Sequence, residues 1–197
     1  IIFDEVQKCP RAREAIKALV EDHRFDYIET GSLISIKKNV ADIVIPSEED
    51  GIDMYPMDFE EFMWAMGDEM MMDYIKRQFE QRRPMGDFHR EAMRYFRQYM
   101  IVGGMPQAVV EYVKTKDFDK VDAVKRQILR LYRNDIKKYG GSATARVSSL
   151  FEAIPGQLQK SEKKFRLSEV SSDAKMRDYD EAFFWLGDAR LANICYN

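Results

Sequence analysis

The sequence predicts a short parallel α/β segment followed by a predominantly helical remainder. Three observations carry this expectation. An apolar run at Ile1–Phe3, a helical stripe and a second strand-like run at Asp26–Thr30 lie close together. Strand, helix and strand within about thirty residues favour a βαβ unit with parallel strands. Beyond Pro56 the strand signals fade, and apolar residues recur at helical spacing. The last quarter of the chain reads as three helices and a closing strand.

Each element has its own signal. Residues 1 to 3 read as a short buried strand ending in two adjacent acids, Asp4 and Glu5. Pro10 is tolerated at the first helical position. Ala12, Ala15, Ile16, Leu19 and Val20 follow at helical spacing, so one face packs inward. Gly31-Ser32 stops the second strand, and a third strand is predicted at Ile52 to Tyr55. Asp58 and Glu61 have the spacing of a capping box before a helix running through Trp64. Residues 69 to 74 continue in helical composition, and Pro84-Met85-Gly86 breaks it. Phe88, Ala92, Tyr95, Phe96 and Tyr99 form a helical stripe. Gly103-Gly104-Met105-Pro106 ends that helix and starts another. A long helix is predicted from Phe118 to Tyr139, with Gly140-Gly141-Ser142 as the best linker. Helices at 147 to 158, near 167 to 171 and at 174 to 186, then a strand at Arg190 to Tyr196, resemble a partial winged helix.

Composition narrows the function classes. With 45% hydrophobic and 33% charged residues, the 197-residue chain can bury one core or two small ones. Its net charge of -3 points to neither nucleic acid nor an acidic substrate. Two cysteines at opposite ends and two histidines make a zinc site or a disulfide framework unexpected. That usage fits a reducing, cytoplasmic compartment. No apolar run reaches the length of a membrane span, and no signal peptide is visible. The 12 methionines concentrate at Met54 to Met72, where they read as adaptable core or interface filler.

An apolar strand ending in Asp4-Glu5 has the form of the second nucleotide motif of a P-loop NTPase. A strand fixes such acids at the carboxyl edge of a parallel sheet, where ligands bind. The first acid holds Mg²⁺ at the terminal phosphates, and the second orients and deprotonates water. Alone, the pattern also fits a strand followed by a solvated acidic turn. Thr30 and Ser32 would bring hydroxyls beside these acids if the two strands are neighbours, ready to bond a γ-phosphate or a water. The same Thr-Gly-Ser step also fits a turn chosen for backbone geometry. Gly103-Gly104 fits a plain helix break, or a place where backbone approaches a nucleotide closely.

Taken in order, Phe3-Asp4-Glu5-Val6-Gln7, Thr30-Gly31-Ser32-Leu33, Tyr55-Pro56-Met57-Asp58-Phe59-Glu60-Glu61-Phe62 and Gly103-Gly104-Met105-Pro106 resemble a family of bacterial and archaeal AAA-type ATP-binding proteins. Its members have a P-loop ATPase domain, a helical lid, a winged helix and a C-terminal nuclease-like domain of unknown function. The resemblance spans essentially the whole chain. It implies an α/β remnant of a P-loop NTPase at 1–56, a mostly helical lid at 57–139 and a partial winged helix at 143–197. It also implies ATP and Mg²⁺ as cofactors in the intact protein. Asp4 and Glu5 match the family's Walker B acids, Asp4 being the metal ligand. Thr30 and Ser32 match the first sensor strand, and Gly104 and Pro106 the turn whose proline touches the adenine end. Tyr55, Phe59 and Phe62 are expected to bury, with Asp58 as a cap.

Two departures qualify the resemblance. No Gly-x-x-x-x-Gly-Lys-Ser/Thr occurs in the 197 residues, so the phosphate cradle and the C-terminal domain are expected elsewhere in a longer chain, and this portion is expected to be inactive by itself. Residues 50 to 52 are acidic where relatives carry a basic residue, which leaves any arginine finger unassigned. Homo-oligomers are compatible with such a family.

Arg126, Arg130, Arg133 and Lys137 recur along one face of the long helix. They form either a solvated outer face or a ridge contacting phosphates. The competing function is therefore a non-enzymatic helical module that binds nucleic acid or a protein partner. Asp173, Asp178, Asp180 and Glu181, near the start of the last helix, disfavour sequence-specific DNA reading by that helix.

Overall fold

The computed structural model describes residues 1–31, 50–139, 141–161 and 164–195. The chain divides into two units, one of Ile1–Ile52 with Arg133–Asn197 and one of Asp53–Tyr132. Helix dominates both.

At the N-terminus, β1 (Ile2–Phe3) pairs in parallel with β2 (Ile28–Glu29), Ile2 opposite Ile28 and Phe3 opposite Glu29. Backbone bonds from Ile28 N to Ile1 O, Thr30 N to Phe3 O and Val6 N to Thr30 O extend the ladder at both ends. A 3-10 turn at Val6–Lys8 and α1 (Pro10–Glu21) connect the strands, which completes the expected strand–helix–strand unit. Ile16 is buried on the inner face of α1 and Ala15 is exposed. The expectation of a buried first strand does not hold. Ile1, Ile2 and Ile28 are 54%, 67% and 58% exposed. A sheet of two short strands cannot cover its own faces.

In the second unit, α2 (Phe59–Ala65), α3 (Glu69–Glu80), α4 (Phe88–Val102) and α5 (Pro106–Thr115) lead into α6 (Phe118–Tyr139), whose last turns belong to the first unit. The capping box forms as read. Asp58 accepts from Glu61 N, and the Glu61 carboxylate accepts from Asp58 N, both at 2.9 Å. Phe62, Val102, Ala108, Val109, Tyr112 and Val121 make one core, and Met63, Met71, Met72 and Ala92 another. Methionine thus serves as core filler at three of these positions. No strand forms at Ile52 to Tyr55, and Ile52 and Met54 are almost fully exposed. An extended segment with no neighbouring strand has no ladder to join. Tyr55 is exposed rather than buried, Phe59 is half-buried and Phe62 is fully buried.

The C-terminal part of the first unit packs α7 (Thr144–Leu158) against α8 (Met176–Asp188). Ile136, Ala143, Val147, Leu150, Ala182 and Leu186 form its core. A 3-10 turn at Leu167–Glu169 stands where a short helix was expected. The predicted strand does not form at residues 190–195, and Tyr196 lies outside the described residues. The segment instead folds back on α8, with Ile194 against Gly187. Among the described residues, 190–195 have no partner strand to extend, so their apolar–polar alternation does not become a ladder there.

Candidate functional site

Parallel pairing sends both strands to the same edge, and three of the predicted site residues meet there. Asp4 and Glu5 follow β1, and Thr30 follows β2. The Thr30 hydroxyl donates to Asp4 Oδ1 at 2.5 Å and accepts from Glu5 N at 3.4 Å. One side chain therefore ties the two strand ends together through both acids. Ser32 lies outside the described residues.

Glu5 has left the strand conformation. Its φ of 56° and ψ of 45° are left-handed, which is uncommon for a residue with a side chain. Such outliers cluster at functional sites. Its carboxylate pairs with Lys8 Nζ at 3.2 Å, with both side chains solvent-accessible. Exposed pairs of this kind contribute little to stability.

Behind this edge sits a pair that sequence reading missed. Arg13 on α1 and Glu29 on β2 form an ion pair, and their side chains are only 5% and 13% exposed. It bonds the connecting helix to the strand residue next to Thr30. A signal was present, because Arg13 lies on the same helical stripe as Ile16 and Val20, facing a Glu between strand residues. A cation on an inward stripe calls for a buried partner.

Asp4 is exposed and keeps lone pairs beyond the one Thr30 uses. Among the described residues no group of three or more His, Cys, Asp or Glu is poised to hold a metal. A single carboxylate nonetheless suits Mg²⁺, which typically takes one or two carboxylates together with substrate phosphates.

Gly104 and Pro106 belong to the other unit. Pro106 opens α5 and is exposed. Gly104 does sit at a close backbone approach, and its neighbour is Met57. A Cβ placed on Gly104 would fall 2.0 Å from Met57 O.

Of the four ridge cations on α6, Arg126, Arg130, Arg133 and Lys137, two have acidic partners. Arg126 Nε bonds Asp122 Oδ2 at 2.6 Å, and Arg133 grips Glu152 through two bonds of 2.5 and 3.0 Å. The Arg133 guanidinium holds the Glu152 carboxyl below its usual range. Arg130 and Lys137 are exposed and have no partner among the described residues. No helix among the described residues is long and apolar enough to cross a membrane.

Comparison with protein families gives two matches, on separate parts of the chain. Residues 93–197, more than half of the sequence, match the model of a domain of unknown function, DUF8612. The chain belongs to the DUF8612 family. Residues 1–63 match the model of an AAA domain, which supports an AAA-type P-loop relationship for the segment that carries Asp4, Glu5 and Thr30. The DUF8612 match covers α5, α6, α7, α8 and most of α4, so Gly104, Pro106 and all four ridge cations fall within it. No curated protein and no solved structure matches this DUF8612 member.

Proposed function

We propose that this chain works within an AAA-type ATPase that binds MgATP and hydrolyses it by in-line attack of water. The observation that carries this reading is the meeting of Asp4, Glu5 and Thr30 at the carboxyl edge of a parallel strand pair, inside the segment that matches an AAA domain. Asp4 is the residue that would hold Mg²⁺, whose chemistry is to neutralise charge on the terminal phosphates. Glu5 is the candidate general base, to orient and deprotonate the attacking water. Thr30 holds both acids in register, and Ser32 is assigned with it to the sensor strand. Gly104 and Pro106 are assigned to the adenine end. The division into an ATPase part at 1–56, a lid at 57–139 and a partial winged helix at 143–197 belongs to the same proposal, as do a cytoplasmic setting and a homo-oligomeric assembly.

The reading needs a phosphate-binding loop from outside the 197 residues, since they contain no Gly-x-x-x-x-Gly-Lys-Ser/Thr. The test is therefore made on the intact protein. Glu5→Gln should keep ATP binding and lose turnover by at least about a hundredfold, the range general-base removal gives. Turnover equal to the parent protein would remove Glu5 from the catalytic role. A second reading, a non-enzymatic module that binds nucleic acid or a protein partner, is supported by the exposed Arg130 and Lys137.

A further inference from the structure

Residues 55 to 62 make an unusual set of contacts with the turn between α4 and α5. Met57 N donates to Gly104 O at 2.7 Å, and the Tyr99 hydroxyl donates to Met57 O at 2.9 Å. Both backbone polar groups of Met57 are thereby satisfied by α4 and the turn that follows it. Gly104 is the one residue type that fits, because any Cβ there would collide with the Met57 carbonyl. Gly103 adds the bend, at φ 78° and ψ -176°, a conformation open in practice to glycine. Immediately downstream, the Asp58–Glu61 capping box fixes the start of α2. Phe59 packs edge-on against Phe96, and Phe62 lies beside Tyr99 and Tyr112. Immediately upstream the picture reverses, with Ile52 84% and Met54 88% exposed.

This contact joins the two family segments. Met57 lies in the AAA-matching stretch and Gly104 in the DUF8612 stretch. We propose that Met57 and Gly104 form a backbone latch through which the AAA-type segment and the DUF8612 segment are mechanically coupled. Displacement of residues 53 to 58 must either break both Met57 bonds or carry the Gly103–Pro106 turn along. The latch stands on this geometry alone and does not depend on ATP hydrolysis.

Amide hydrogen exchange on the unmodified 197-residue chain tests it first. Met57 N–H should exchange at least about tenfold more slowly than Met54 N–H, as a bonded amide does beside an open one. Equal exchange would overturn the latch. A double-mutant cycle tests it second. Gly104→Ala opens the contact by collision, and Tyr99→Phe deletes its second bond. If both act through one latch, the melting temperature of the double variant should equal that of Gly104→Ala alone. Additive losses would overturn the proposal. If Gly104→Ala abolishes folding altogether, shown by loss of protection at Val109 and Val121, the exchange ratio in the unmodified chain and its narrowing in Tyr99→Phe decide. No narrowing there counts against the latch.

Discussion

At the scale of single residues, the site is organised by Thr30 more than by the acids themselves. A hydroxyl can donate once and accept as well, and Thr30 uses both capacities, toward Asp4 and toward Glu5 N. A carboxylate or an apolar residue at position 30 has no such double use. The Arg13–Glu29 pair beside it is buried, where an ion pair keeps its geometry chiefly because leaving either charge alone is unfavourable. The Arg133–Glu152 pair is the exposed counterpart and carries a pH signature. The Glu152 carboxyl is held below its reference value of 4.5, first through its hydrogen bond to Arg133. A depressed carboxyl contributes stability that is present above its unfolded pKa and lost as pH falls through its folded value. Arg133→Ala should therefore lower the melting temperature slightly at pH 7, and the difference from the parent chain should shrink as pH falls below 4.5 and vanish once Glu152 is protonated in the folded chain. A difference unchanged in strong acid would show that Arg133 acts through packing of its stem instead.

At the scale of elements, α7 depends on a side chain that mimics backbone. Gln157 is buried, donates from Nε2 to Arg166 O at 2.9 Å and accepts from Arg166 N at 2.6 Å. The two bonds close the chain between α7 and the 3-10 turn without a strand. Gln157→Ala removes both and leaves the Arg166 groups without these partners. The expected loss is about 2 kcal/mol in urea unfolding, the magnitude for stripping a buried polar pair. A loss below about 0.5 kcal/mol, the level of an ordinary surface change, would mean that water replaces the amide. The capping box at α2 shows the contrasting case, in which sequence spacing alone specifies the bonds. Capping spans three residues, whereas Gln157 and Arg166 lie nine apart and meet only when the chain after α7 folds back on it.

At the scale of the whole molecule, charge decides between the two functional readings. The chain is net acidic, and two of its four ridge cations are neutralised by Asp122 and Glu152. Asp173, Asp178, Asp180 and Glu181 are all exposed around the start of α8. Arg130 and Lys137 remain for phosphate contact, and each such contact contributes about -0.9 to the salt slope of log K on duplex DNA. Titration of the chain with duplex DNA at several salt concentrations should therefore give a slope no steeper than about -2. A slope near -4 would enlist all four cations and favour the binding module. The two family matches support the other reading, since they link an AAA-type segment to a DUF8612 segment within one chain.

What could be read from the amino-acid order was local. Helical periodicity placed the 22-residue α6 at its observed bounds, and Asp58 with Glu61 announced the cap of α2. The acid pair after an apolar run, followed by Thr30 after a second, marked a candidate site before any fold was known. Those signals survive because turn spacing, capping and strand polarity act over a few residues. Only tertiary structure decided which partner each polar group takes. It gave Thr30 to Asp4 and Glu5, Arg13 to Glu29, and Gly104 to the backbone of Met57. It also left the stretches at 52–55 and 190–195 without strands. A strand exists only beside another strand, and a hydrogen bond only beside its acceptor, so neither is a property of the segment that contains it.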